Sequence, residues 1–157
     1  MLLIEDNPDD VAAVARLTAT SSVPVTLMVA TDGQEALERV HRHDDDASAA
    51  ELILLDIHLP VLDGVEVLQR LASDVALRDV PVVMLTGSED VQDIRLGQEL
   101  GAKGHILKPM SQGDFTWIVA SVTNYWRRLA KAPGELKKGG RHGLEALTPR
   151  SDNSPHR

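Results

Sequence analysis

The sequence predicts an α/β fold in which five strand–helix units, (βα)5, build a three-layer sandwich around one parallel sheet. Three observations predict it. Short runs rich in Val, Ile and Leu recur at Leu2–Glu5, Val25–Val29, Glu51–Asp56, Pro81–Thr86 and Gly104–Lys108. Each run is nearly continuous in apolar residues, as strands buried on both faces require. Stretches of helical length and pattern separate the runs, and that alternation implies right-handed crossover helices on both faces of the sheet.

The first strand starts at Leu2 and is brief for a central strand; missing natural N-terminal residues would account for it. A helix over Pro8–Thr20 follows, with Asn7 as N-cap and Pro8 in the first turn, where a missing N–H is tolerated. Asp32 caps the next helix, Gly33–His43, and Asp63-Gly64 lead into a third over Val65–Ala72. Ser88 leads into Glu89–Leu100, which Gly101 closes as a glycine just past the helix end. The last helix, Asp114–Ala130, carries Phe115, Ile118, Val119, Val122, Trp126 and Leu129 on one stripe at helical spacing. All four aromatic residues of the chain (Phe115, Trp117, Tyr125, Trp126) lie in it. Trp117 falls nearly opposite the stripe and Tyr125 on its flank, which makes them a candidate association surface.

The apolar pattern stops after Lys131, so residues 1–131 are expected to form one domain and residues 132–157 a flexible basic tail rich in Pro, Gly and charge. Leu144 to Leu147 have the pattern for a single helical turn at most. Residues 127–157 hold eight Lys and Arg against three acids; the other 126 residues hold eight against twenty-one. An acidic body is a poor partner for nucleic acid, whose phosphates need cations, and suits a cation site. With no cysteine, disulfides and thiol chemistry are excluded. No apolar run approaches the roughly 18 residues of a membrane span, and the opening Leu2-Leu3-Ile4 ends at two acids rather than in a signal peptide. The expectation is a cytoplasmic protein with no membrane and no nucleic-acid partner.

In open α/β sheets, ligands bind at the carboxyl ends of the strands. Those ends here hold Glu5-Asp6, Asp56, Thr86 and Lys108. Three carboxylates in one pocket repel, and one would hold a proton unless a cation intervened. A hard divalent ion such as Mg²⁺ resolves the repulsion. An aspartate beside it can act as a nucleophile toward phosphorus, because phosphoryl transfer needs positioning and charge neutralisation above all.

Four segments resemble the signatures of response-regulator receiver domains: Leu3-Ile4-Glu5-Asp6-Asn7-Pro8, Leu54 to Gly64, Val83-Met84-Leu85-Thr86-Gly87, and Gly101-Ala102 to Lys108-Pro109. The resemblance covers roughly residues 2–130, about one domain in size. It implies a flavodoxin-like fold with strand order 2-1-3-4-5. It also implies that Asp56 is the phosphoacceptor, and that Glu5, Asp6, Asp56 and the carbonyl of His58 bind Mg²⁺, Glu5 through water. Lys108 would pair with the phosphoryl group, Thr86 would move toward it, and Lys108-Pro109 would be a cis peptide. The ending Val122 to Trp126, with no output domain after it, is similar to the small receivers that partner bacteriophytochrome histidine kinases. A sensor histidine kinase is thus the implied partner, and a homodimer through the fourth helix, fifth strand and fifth helix the implied assembly. The sequence departs from the pattern at His105, where the family often has Tyr or Phe at a switch position coupled to Thr86. His58 and Ser88 stand where the family tunes dephosphorylation.

Blander readings compete. The acidic opening could be only a helix N-terminus, and the run His41-Arg42-His43-Asp44-Asp45-Asp46 reads as a solvated loop rather than a metal site. A haloacid-dehalogenase-type phosphatase also uses Asp, Thr, Lys and Mg²⁺, but wants a second Asp where His58 stands. A DNA-binding regulator would need an effector domain that 26 residues of tail cannot form. A receiver that is never phosphorylated, a constitutive scaffold, conflicts with the intact acidic set.

Overall fold

The computed structural model describes residues 1–42, 50–87 and 91–131. Strands and helices alternate throughout them: β1 (Leu2–Ile4), α1 (Pro8–Ala19), β2 (Met28–Ala30), α2 (Gly33–His41), β3 (Ile53–Asp56), α3 (Gly64–Ser73), β4 (Val82–Thr86), α4 (Val91–Glu99), β5 (Gly104–Leu107) and α5 (Gln112–Lys131). All strand pairs are parallel, and the order is β2-β1-β3-β4-β5. This is the expected flavodoxin-like three-layer sandwich.

Alternation along the strands divides the core into two layers. Leu2, Ile4, Ile53, Leu55 and Met84 face one way and pack on Ala36, Leu37 and Val40 of α2 and Val67, Leu68 and Leu71 of α3. Leu3, Leu54, Val83, Leu85 and Ile106 face the other way, onto Val14 of α1 and Phe115, Ile118 and Val122 of α5. Helices therefore cover both faces, which is why β1, β3 and β4 are buried at every position.

Local chemistry sets the helix ends. The side chains of Asn7, Asp32 and Asp63 each accept a backbone N–H from the first turn of the helix that follows, the N-cap arrangement their residue types favour. Gly101, at φ +101°, ends the α4 segment. Its N–H reaches the Gln98 carbonyl and that of Ala102 reaches Gly97, a paired closure that needs a left-handed residue.

Several boundaries differ from the sequence expectation. The second strand begins at Met28 rather than Val25: its ladder with β1 starts at the Leu2–Met28 pair, and Met1 bonds the Thr26 carbonyl and the Met28 N–H just ahead of it. The third and fourth strands start one or two residues later than the apolar runs, and β1 and β5 each end one residue sooner. Helix α2 stops at His41, while α5 starts two residues early at Gln112 and runs on to Lys131. Ser111 closes that α5 start, trading hydrogen bonds with Asp114 in both directions. The expectations for His43 to Asp46, for Ser88 and for the tail 132–157 fall outside the described residues.

Candidate functional site

The carboxyl ends of β1, β3, β4 and β5 meet on one side of the sheet. β1 delivers Glu5 and Asp6, and the backbone of Glu5 still pairs with Ala30 of β2. Glu5 is fully buried, and its Oε1 accepts the Asn7 N–H at 3.1 Å. Asp56 ends β3, 4% exposed, and its Oδ1 accepts the His58 N–H at 3.2 Å. Carboxylate oxygens of Glu5, Asp6 and Asp56 all lie within 4.8 Å of one another. β5 delivers Lys108, whose Nζ lies 2.6 Å from Glu5 Oε2 and 3.2 Å from Asp56 Oδ2. The peptide between Lys108 and Pro109 is cis, as expected.

Thr86 ends β4 and is fully buried; its carbonyl accepts the Lys108 N–H at 2.8 Å. Register sets Leu107 beside Thr86 and His105 beside Met84, so Thr86 and His105 point to the same sheet face, the one α4 covers. The His105 ring is partly buried, and its Nδ1 has no hydrogen-bond partner. Burial pushes its pKa below the ordinary imidazole value.

The loop from β3 to α3 shapes the wall beside Asp56. The Leu62 N–H bonds the Pro60 carbonyl at 2.7 Å across Val61, whose φ is +67°. That is a γ-turn of the rare strained kind, unusual for a β-branched residue. Gly64 then opens α3 so close to β3 that a β-carbon would run into the Asp56 carbonyl oxygen and the Ile57 backbone. The His58 ring is exposed, with Nε2 3.7 Å from Asp93 Oδ2 on α4.

Electrostatics follow from this crowding. Burial pushes the Glu5 carboxyl up to about 7, even against the pull of Lys108. Burial works against the Lys108 ammonium, yet bonds to Glu5 and Asp10 and the Asp56 charge hold its pKa above the usual lysine value. An all-oxygen donor set with one ammonium against three carboxylates fits a hard divalent cation. Sequence reasoning missed Asp10, whose Oδ2 lies 3.1 Å from Lys108 Nζ. Its only signal was membership of the acidic run after Glu5.

Trp117 is 36% exposed, as its position opposite the stripe implied. Tyr125 is half-buried: its hydroxyl donates to the Asp79 carbonyl at 2.9 Å, and its ring meets Trp126 edge-on at 5.2 Å. Trp126 in turn donates to the Glu51 carbonyl at 2.9 Å. The two rings tie the end of α5 to the loops that enter β3 and β4.

The sequence profile of the response regulator receiver domain matches residues 1–120. The chain belongs to the response-regulator receiver family. The receiver is 29% identical over 135 residues to the response regulator Rcp1 of Synechocystis sp., a match covering 85% of this chain and 92% of that one. A solved Mn(2+)-bound form of Rcp1 superposes with a TM-score of 0.64 at 30% identity, over 80% of the receiver and 91% of the relative. The bacteriophytochrome response regulator AtBRR gives 0.68 at 34%, over 78% and 90%. The phosphorylated cyanobacterial phytochrome response regulator RcpA gives 0.66 at 34%, over 80% and 91%. Against the ycf27 protein of Guillardia theta, described as a probable transcriptional regulator and 36% identical, the receiver spans 45% of the relative's length. The receiver is thus a unit of two-component signalling, similar to phytochrome-associated response regulators. Among the described residues no helix is long and apolar enough to cross a membrane.

Proposed function

We propose that the receiver is a phosphorylation switch that takes a phosphoryl group from a histidine kinase onto Asp56, and that residues 1–131 make up the switching unit. The observation that carries this reading is the cluster itself: the Asp56 carboxylate shares one space with those of Glu5 and Asp6 and faces the Lys108 ammonium. Glu5, Asp6, Asp56 and the His58 carbonyl would hold Mg²⁺. Bound there, the cation would neutralise charge on the incoming phosphoryl oxygens.

The chain's own groups do the rest. The Asp56 oxygen attacks phosphorus, the phosphorus–nitrogen bond of the donor histidine breaks, and the imidazole leaves neutral, keeping the proton already on its other ring nitrogen. Lys108 pairs with the new anion, and the buried Thr86 hydroxyl moves toward it. An added charge of roughly −1.5 to −2 at the end of β3 thereby shifts the face made by α4, β5 and α5. Leu96, Leu107 and Trp117, one on each of those elements, are exposed there, and a homodimer through this face is the proposed assembly. Tyr125 contributes its ring edge only, since Asp79 holds its hydroxyl. The phytochrome-type relatives support a bacteriophytochrome kinase as donor, acting in the cytoplasm. Beyond its own phosphorylation and dephosphorylation we propose no enzymatic activity; His58, in the place of a second aspartate, argues against a phosphatase.

Incubation with acetyl phosphate and Mg²⁺, read by intact mass, tests this. One added phosphoryl group is expected, absent in Asp56→Asn and absent when the metal is chelated. No adduct on the wild-type chain, or an adduct that survives Asp56→Asn, would contradict it.

A further inference from the structure

Lys108 touches three carboxylates, not two: Glu5 at 2.6 Å, Asp10 at 3.1 Å and Asp56 at 3.2 Å. Glu5 and Asp56 belong to the trio that converges on a cation position; Asp10 does not. Asp10 comes from a separate element, the first turn of α1, and is partly exposed. The contacts also differ in kind. The Asp10 Oδ2 accepts from Nζ at the partly exposed side of the site, whereas the closer partner, Glu5 Oε2, is fully buried. The ammonium thus spans from the buried Glu5 to the more open Asp10.

We propose that Asp10 is a positioning residue, the resting acceptor that carries the Lys108 ammonium away from Glu5 and Asp56 when a divalent cation enters, and releases it to the phosphoryl group afterwards. This rests on the receiver reading of Asp56. An ammonium 2.6 Å from Glu5 Oε2 blocks the lone pairs a metal ion needs, and two cations on one carboxylate repel. Asp10 gives Lys108 a place to go without leaving it unpaired. Its single, partly hydrated charge is then a weaker partner than a phosphoryl group with three acceptor oxygens. Asp10 therefore favours the cation and competes against the phosphoryl group, both through Lys108.

The test is a double-mutant cycle on the full chain with Asp10→Asn, Lys108→Met and the double variant. Mn²⁺ affinity is read by electron paramagnetic resonance of the free ion. Affinity for trifluoroberyllate, a tetrahedral stand-in for the phosphoryl group, is read by fluorine NMR at saturating Mg²⁺. Asp10→Asn should weaken Mn²⁺ by at least about threefold and tighten trifluoroberyllate by a similar factor, and both shifts should disappear in the Lys108→Met background. Neither shift in Asp10→Asn overturns the inference. So do shifts that persist without Lys108, which would make Asp10 only a distant charge. A wild-type chain that binds neither Mn²⁺ nor trifluoroberyllate sinks the receiver reading itself, and the role of Asp10 with it.

Discussion

His105 sits beside Met84 on the sheet face under α4, with one ring nitrogen buried and unbonded. Burial disfavours the charged ring, so its folded pKa lies below the ordinary 6.5. As pH falls, the unfolded chain takes up this proton before the folded one does. The contribution to stability is therefore intact above the unfolded value and declines as pH drops through it. We expect the urea midpoint of the wild type to fall more between about pH 7 and about pH 5.5 than that of His105→Phe, which cannot take up the proton. Parallel profiles would show that His105 is not held neutral by the fold. At this scale the meeting of Glu5, Asp6, Asp56 and Lys108 was legible because they stand at the ends of apolar runs, where side chains converge. Asp10 was not, because an acid in the first turn of a helix has a sufficient local explanation in the helix dipole. Only the return of β5 beside that helix gives it a partner.

At the scale of elements, the site depends on how closely α3 starts against β3. Gly64 permits it, since a β-carbon there would strike the Asp56 carbonyl and the Ile57 backbone. Backbone on both sides leaves nothing flexible to yield. Gly64→Ala is expected to cost about 2 kcal/mol or more of stability, seen as a lowered urea midpoint, and to reduce phosphoryl uptake because Asp56 moves with its own carbonyl. An unchanged midpoint would contradict this close packing. Five strands and five helices were readable from apolar runs and caps, and α5 most clearly, since its stripe sorted Phe115, Ile118 and Val122 to the core. Strand ends were less readable. Apolar content marks where a chain is buried, but a strand is defined by its ladder, and the β1–β2 ladder starts at the Leu2–Met28 pair, after Val25 to Leu27. The backbone contacts of Tyr125 and Trp126 were illegible for a similar reason: a stripe gives the direction of a ring, and the carbonyls of Glu51 and Asp79 belong to distant loops.

Across the whole molecule, the sheet order turns separate motifs into a site. β1 lies next to β3, β3 next to β4, and β4 next to β5, so acids from the first and third strands meet a lysine from the fifth. Repulsion among the acids is offset at rest by Lys108 alone among the described contacts of the cluster, which leaves a charge deficit that a cation would relieve. The central claim is that this geometry makes Asp56, rather than any neighbouring acid, the nucleophile. The direct measurement is to treat the acetyl-phosphate product with borohydride, which reduces an acyl phosphate to an alcohol, and to map the altered residue by peptide mass spectrometry. The predicted result is homoserine at position 56 and nowhere else. Reduction at Glu5, Asp6 or Asp10, or phosphate found on a histidine instead, would contradict the account.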